Sequence, residues 1–524
     1  MFNSLLQKLV QKWNKFCQLE DGMTLPLLAM SMVAVTGMVG MAIDTGRVQL
    51  VQSKLQFSLD AAGLAAGSTV NTSALTSEVT KYLDANFNGY LGATLSGVNA
   101  TVDQTNTQIT LSATATLPTT FMAVVNVKSV SVTASSQISR AVTGLELVMV
   151  LDNTGSMANS AGGGGSKIDA LKTAATTLIN NLFASNPPAG KLWVGIVPFS
   201  QAVNIGTGHP TWMNTTYDNS IIDASHSTTT TDWGPGGSWA GCVDARVAGN
   251  EDITDDPPSS SSTNTLFKNY YWISDSLNPD GVANNNQNNW KQCSNKWNRC
   301  KNGSCTVVSG SCSTNNGHTC TSLGYTCTYS SPLNQTTAGP NYLCPQQVLP
   351  MTNDKTSLLN AINSMQPAGN TLINQGLEWG WNMISPRWQG LWGGTMDGNN
   401  LPLAYNTKGM SKVVVLLTDG VNTQDNSAHS AYWFLGDNLL GTTNANTAIT
   451  KLDNKTSSLC TAMKNSGIYI YTIALGTDTT TASLTLLQNC ATASNYYFNS
   501  PSTSQLSGIF NAISDSLSNL RVSH

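Results

Sequence analysis

Charged side chains are scarce in this sequence. Asp, Glu, Lys and Arg make up 10% of its 524 residues, against roughly 25% in a typical soluble protein. Lys and Arg form no long run, and the formal net charge is −4. Because binding to a phosphate backbone needs a concentrated basic surface, nucleic acid is not expected as a partner.

The sequence also lacks the motifs of common enzymes and zinc sites. It contains no HExxH, no G-x-S-x-G and no C-x-x-C, and Ser166-Lys167 after the glycines lacks the Gly-Lys-Ser/Thr order of a phosphate loop. Glu378 is expected at the surface. No catalytic residue is predicted, and we expect a protein that is not an enzyme.

One uninterrupted apolar segment lies near the N-terminus. Leu25 to Ile43 contains no charged residue, and at about 1.5 Å per residue it spans a bilayer core of about 30 Å. Lys8, Lys12 and Lys15 precede it, which favours a cytoplasmic arm at 1–24. A cleaved signal peptide is the alternative, but the segment is long for a signal core and no clear A-x-A site follows. We therefore predict a transmembrane helix at 25–43.

The 11 cysteines are distributed unequally about this segment. Cys17 precedes it, and the other ten, Cys242 to Cys490, follow it. An even set beyond a membrane span predicts disulfides in an oxidising compartment. By position, we expect Cys242 to pair with Cys344 and Cys460 with Cys490, and the six cysteines from Cys293 to Cys327 to form a cluster of unknown connectivity.

Motifs around the apolar segment resemble a known family. Asp21-Gly22, the apolar span, AIDTGR at 42–47 and LDAAGLAA at 59–66 are similar to the N-terminal region of TadG-like Flp pilus-assembly proteins. Related pilins have a glutamate five residues after the glycine at the prepilin cleavage site, where this sequence has Leu27. The resemblance therefore implies a retained single-pass anchor in the bacterial inner membrane, with the C-terminal domains periplasmic or exposed at the cell surface.

Two segments connect the anchor to the rest of the chain. Apolar residues from Val48 to Ala66 recur at spacings of three and four, which predicts a periplasmic extension of the helix over 44–70. The pattern of residues 74–90 then predicts an amphipathic helix. Period-two alternation with many Thr and Val residues over 98–106, 107–118 and 127–141 predicts strands. A small α+β module at 71–141, acting as a spacer, is the expected result.

The C-terminal part, 142–524, has the pattern of an α/β domain. Apolar runs at 145–151, 191–199, 412–418 and 468–475 alternate with helical patterns at 167–183, 372–384, 445–465 and 504–520. Such alternation predicts a doubly wound, mostly parallel sheet. Ligands bind such sheets at the C-terminal ends of the strands, where Asp152 and Asp419 fall.

The residues at these strand ends resemble a metal site. Asp152, Thr154 and Ser156 place three oxygen atoms on one turn, a donor set that suits Mg²⁺. With Thr371 and Asp419 they resemble the metal-ion-dependent adhesion site of von Willebrand factor A domains, although Thr154 replaces the family's serine. The resemblance implies a metal site of Asp152, Thr154, Ser156, Thr371 and Asp419, binding Mg²⁺ (or Mn²⁺ or Ca²⁺) and completed by a carboxylate of a protein partner. Simple helix capping by these residues is the alternative.

A long insertion at about 200–344 interrupts this domain. Its tryptophans at 233, 239, 272, 290 and 297 fit either contact anchors for a partner or a small core of the insertion. The acidic residues Glu251, Asp252, Asp255 and Asp256 are expected in a solvated loop rather than a Ca²⁺ site.

Two functions fit the whole pattern. The first is a membrane-anchored, metal-dependent protein-binding module of Flp/tight-adherence (Tad) pilus assembly or surface adhesion. The second is a metal-independent structural scaffold of the pilus machinery, in which the metal site is vestigial.

Overall fold

A computed structural model describes residues 21–67, 75–87, 89–102, 108–139, 144–160, 165–184, 187–214, 233, 237–274, 288–330, 338–476, 480–500 and 502–520. The chain divides into two compact units between Val142 and Thr143. Cys17 and the first 20 residues of the predicted cytoplasmic arm lie outside the described residues.

The N-terminal unit is built on one continuous 47-residue helix, α1 (Asp21–Gly67). Its side chains from Leu28 to Val39 are exposed, whereas Val51, Leu55, Leu59 and Ala62 are buried. Within the described residues, one segment, Leu28–Ala65, is long and apolar enough to cross a membrane. The second half of the helix instead packs on protein, as the spacing of its apolar residues predicts.

A second helix and a three-stranded antiparallel sheet complete this unit. The elements are α2 (Leu75–Phe87), β1 (Thr94–Val102), β2 (Gln108–Pro118) and β3 (Ser129–Ser139), in the sheet order β1-β2-β3. Alternate residues of β2 are buried, from Ile109 to Leu117, because one face of the sheet packs on α1 and α2. The strands predicted from alternation are therefore present.

Asp44 fixes the β2–β3 connection to α1. Its carboxylate is 1% exposed and accepts hydrogen bonds from the backbone N–H groups of Thr120 (3.1 Å), Phe121 (2.8 Å) and Met122 (2.8 Å). Arg47 donates to the Thr120 hydroxyl at 2.7 Å and to the Leu91 carbonyl at 3.1 Å. The charged residues of the AIDTGR motif thus join the helix to two turns of the module.

Replacing Asp44 by Ala should loosen this connection, because buried amides then lose their acceptor. Hydrogen exchange on the full chain in detergent is expected to become at least about tenfold faster at Thr120–Met122, roughly the equivalent of one lost hydrogen bond. The matched control is Asp84→Ala, since Asp84 is exposed on α2 of the same unit. Unchanged exchange in the Asp44 variant would contradict the assigned role.

The C-terminal unit contains a six-stranded sheet. Its strands are β4 (Gly144–Asp152), β5 (Leu192–Phe199), β11 (Leu349–Thr352), β12 (Met410–Thr418), β13 (Tyr469–Leu475) and β14 (Tyr497–Ser500). Their order in the sheet is β11-β5-β4-β12-β13-β14. All neighbours are parallel except β11, which runs antiparallel to β5 at one edge. The predicted α/β class and mostly parallel sheet are confirmed.

Helices cover both faces of this sheet. They are α3 (Lys167–Ala184), α4 (Lys355–Ser364), α5 (Ile373–Ile384), α6 (Gly394–Gly398), α7 (Ala445–Asn465), α8 (Thr481–Cys490) and α9 (Thr503–Leu520). One apolar core contains residues of α3, α4 and α9, and the other contains residues of α5, α7 and α8. Every residue of β4 is buried, as a strand covered on both faces requires.

The insertion contains two small antiparallel sheets. They consist of β6 (Val203–Asn204) with β7 (Cys242–Val243), and of β8 (Lys291–Lys301), β9 (Ser304–Ser309) and β10 (Thr319–Tyr329) in the order β10-β8-β9. Disulfides Cys242–Cys344 and Cys460–Cys490 confirm the two pairings predicted by position. Two further disulfides, Cys300–Cys305 and Cys312–Cys320, cross-link the three-stranded sheet and its flanking loop.

Two sequence expectations about acidic residues need correction, and the structure decides an open alternative for two tryptophans. Glu378 was expected at the surface but is fully buried, because Arg246 of the insertion pairs with it at 3.1 Å. Two of the four acidic residues are buried rather than solvated: Asp252 pairs with Lys455, and Asp255 accepts from Arg387. Trp272 and Trp290 are also fully buried, so these two tryptophans pack the protein's interior.

Candidate metal centre

Two adjacent parallel strands end at the carboxylates of the candidate centre. β4 ends at Asp152, and Asp419 directly follows β12. Leu151 and Leu417 are partners in the β4–β12 ladder, so the next residues, Asp152 and Thr418, leave the sheet side by side. Asp152 accepts a hydrogen bond from the Thr418 hydroxyl at 2.6 Å, which joins the two strand ends directly.

The loop after β4 brings its hydroxyl groups to the second carboxylate. Asp152 Oδ1 accepts from the Thr154 N–H at 2.8 Å, which turns the chain back over the strand end. The Ser156 hydroxyl then donates to Asp419 Oδ1 at 2.7 Å and lies 3.0 Å from the Thr154 hydroxyl. Four of the five predicted residues therefore form one hydrogen-bonded group.

Backbone hydrogen bonds hold the segment that contains Thr371 near the loops after β4 and β12. The Gly155 N–H donates to the Gly369 carbonyl at 2.9 Å, and the Thr423 N–H donates to the Thr371 carbonyl at 2.8 Å. Thr371 Oγ1 lies 3.6 Å from the position that a Cβ on Gly420 would take. Thr371 therefore lies beside Gly420, the residue that follows Asp419, next to the four hydrogen-bonded residues.

Gly369 is required for this approach. Its φ is +83°, and a Cβ there would lie 2.7 Å from the Gln201 side chain. That side chain accepts a hydrogen bond from the Asn370 N–H at 3.1 Å. A residue other than glycine would therefore displace the segment that holds Thr371.

The two carboxylates are deeply buried. Asp152 is 0% and Asp419 1% exposed. Burial and, to a smaller extent, the negative charge of Asp419 raise the pKa of Asp152 to about 7, against hydrogen bonds from Thr154 and Thr418 that lower it. Two neighbouring buried carboxylates need positive charge close by, since an uncompensated buried charge is strongly destabilising.

Lys167 supplies one positive charge and was not recognised from the sequence. Its Nζ lies 2.9 Å from Asp419 Oδ2, and both side chains are excluded from solvent. Lys167 is the first residue of α3 and lies four residues before buried Leu171. A lysine at an apolar-face position beside the predicted metal loop was the available signal, because such a residue needs a buried partner.

The donor set fits a hard divalent cation. The two carboxylates and three hydroxyl groups are all oxygen donors, the ligand type that Mg²⁺, Mn²⁺ and Ca²⁺ prefer. Among the described residues no cluster of three or more His, Cys, Asp or Glu side chains could hold a metal. A metal at this centre would thus depend on the hydroxyl groups of Thr154, Ser156 and Thr371.

Lys167→Met should destabilise the metal-free C-terminal unit. Asp419 would keep its buried charge without its ammonium partner, at a cost of about 3–5 kcal/mol. Thermal unfolding of the full chain in detergent with a chelator measures the effect, and added Mg²⁺ is expected to restore part of the loss. Lys172→Met, a half-buried position on the same helix, is the control. Equal unfolding temperatures for both variants would show that the ion pair contributes little.

Comparisons with known proteins match two parts of the chain. The Flp pilus-assembly TadE/G-like family model matches residues 22–69, and the von Willebrand factor type A domain model matches residues 341–512. The second range contains Thr371 and Asp419, whereas Asp152, Thr154 and Ser156 precede it. No curated protein matches the chain in sequence.

Several solved structures are similar over most of the chain at low identity. The von Willebrand factor domain of the type V pilus tip protein Mfa5 from Porphyromonas gingivalis is 10% identical with a TM-score of 0.33, covering 73% of this chain and 97% of that one. Pilus adhesin SpaC from Lactobacillus rhamnosus GG is 11% identical with a TM-score of 0.32, covering 81% and 34%. Proximal thread matrix protein 1 from the mussel byssus, with a zinc-occupied MIDAS motif, is 11% identical with a TM-score of 0.29, covering 73% and 47%.

This chain spans less than half the length of the mussel and Lactobacillus chains. The two family matches confirm the resemblance to TadG-like proteins: the chain joins a TadE/G-like pilus-assembly segment to a von Willebrand factor type A domain.

Proposed function

We propose that this chain is a membrane-anchored, metal-dependent protein-binding module of Flp/tight-adherence pilus assembly or surface attachment. The observation that supports it most directly is the convergence of two buried carboxylates, Asp152 and Asp419, with the hydroxyl groups of Thr154 and Ser156 at the C-terminal edge of the sheet. The TadE/G-like segment at the other end of the chain favours the pilus system as its setting.

Asp152, Thr154, Ser156, Thr371 and Asp419 are the proposed ligands of Mg²⁺, or of Mn²⁺ or Ca²⁺. When bound, the ion would supply an electrophilic position for a carboxylate of a partner protein. Asp152 and Asp419 would hold the ion by charge, while the neutral hydroxyl groups orient it without cancelling its remaining attraction for an anion. This is recognition chemistry, and the proposal includes no turnover.

The anchor in this proposal is the first half of α1. Its side chains from Leu28 to Val39 are exposed and apolar or small, which suits a lipid environment. The lysines before it favour a cytoplasmic N-terminus. The part of the chain after the apolar segment would then lie on the periplasmic side, where the disulfides of the C-terminal unit persist.

The Lys167–Asp419 ion pair favours a second candidate function. An internal ammonium group compensates one of the two carboxylates without a metal. The second candidate is accordingly a metal-independent scaffold of the pilus machinery, in which the centre only stabilises the fold.

Titration calorimetry distinguishes the two functions. The oxidised full chain in detergent is expected to bind Mg²⁺ and Mn²⁺ at a single saturable site. Asp419→Ala should abolish that binding, because it removes one of the two charged ligands. Asp397→Ala, at an exposed aspartate of α6, should leave it unchanged. A folded wild-type chain that binds neither ion would contradict metal dependence and support the scaffold.

A further inference from the structure

The connection between β2 and β3 exposes an unusual amount of apolar surface. Within residues 119–128, Phe121, Val124, Val125 and Val127 are exposed by 46%, 87%, 64% and 37%. A concentration of exposed apolar side chains on so short a loop indicates a contact surface.

This loop meets α1 inside the proposed membrane span. A Cβ on Gly40 would lie 2.6 Å from Phe121 Cβ, so Phe121 packs directly on that glycine. Gly40 lies three residues before Ile43, the end of the apolar segment, which is about 4.5 Å along the helix axis. The loop therefore reaches the level at which interfacial segments insert, roughly 5–10 Å into the headgroup and acyl boundary.

The backbone of the loop is suited to an apolar environment. Asp44 accepts from the amides of Thr120, Phe121 and Met122. Further amides bond within the loop: the Thr119 N–H donates to the Lys128 carbonyl, and the N–H groups of Val124, Asn126 and Val127 donate to the carbonyls of Phe121, Ala123 and Met122. Most backbone amides of the loop are thus already hydrogen-bonded, which lowers the free-energy cost of moving the loop out of water.

The charge pattern around the loop favours lipid over a protein partner. Lys128 is the only charged residue from Gln104 to Ser139. It is exposed immediately after the apolar tip, where its ammonium group can reach lipid phosphates while its stem stays among apolar groups. The loop carries no carboxylate or pattern of paired charges that would select a protein surface.

We propose that residues 120–127 form a second membrane contact, in which the apolar tip enters the outer boundary of the same bilayer beside α1. The inference rests on the proposed anchoring by α1. The role of Asp44 is then structural, because it holds the loop at the level of the bilayer surface. Two contacts fix the rotation and tilt of the anchor, which a single apolar helix leaves free.

Site-specific photo-crosslinking tests this contact. The full chain carries p-benzoylphenylalanine at Val125 or, separately, at Val124, and is reconstituted in phosphatidylethanolamine–phosphatidylglycerol vesicles. Val35, 54% exposed on the apolar half of α1, is the positive control, and Val307, 60% exposed on β9, is the negative control. The proposal predicts lipid adducts from Val125, Val124 and Val35, and a much smaller yield from Val307.

The other outcomes separate the loop contact from the anchor. Lipid adducts from Val35 but not from Val124 or Val125 would overturn the second contact and leave the anchor intact. An absence of adducts from Val35 as well would overturn the anchor itself. Adducts of Val125 to protein, from a second copy or another chain, would replace lipid as the occupant and also overturn the proposal.

Discussion

Two carboxylates buried side by side, Asp152 and Asp419, are the constraint on which the candidate centre depends. Parallel pairing of β4 with β12 places both at one edge of the sheet, and burial removes the water that would otherwise screen them. The neighbouring hydroxyl groups and the Lys167 ammonium group all face this charge. The Lys167 ammonium group compensates part of this charge in the fold, and under the proposed function the same oxygen atoms would hold a hard cation, so stability and recognition would be coupled at one place.

Buried charge pairs also attach described parts of the long polar insertion to the α/β core. Arg246 of the insertion pairs with Glu378 of α5, and Asp252 pairs with Lys455 of α7. Burial raises the pKa of Glu378 to about 7 even though Arg246 opposes the shift. With the Cys242–Cys344 disulfide at its base, the insertion is attached to the α/β core at several points. Its charged residues consequently act in attachment, and its cysteines limit the conformations of the unfolded chain.

Sequence patterns predict the elements that have long, regular runs of buried residues. They miss short edge strands and residues whose role depends on partners far away in the sequence. The apolar runs of β4, β5, β12 and β13 follow from strand periodicity, and the five candidate site residues follow from their position at the strand ends and from family resemblance. Edge strands β11 and β14 have four residues each, too few for a clear period. Lys167 and Glu378 were missed because their partners are 252 and 132 residues away. The role of Asp44 depends on a turn 76 to 78 residues further along, which no local pattern reveals.

The most direct test of the metal centre is anomalous diffraction from crystals of the oxidised chain soaked in Mn²⁺. The account predicts one strong anomalous peak in contact with the side-chain oxygens of Asp152, Ser156 and Asp419, with the Lys167 ammonium group displaced from Asp419. A well-ordered centre without a peak, and with the Lys167–Asp419 pair intact at saturating Mn²⁺, would contradict it.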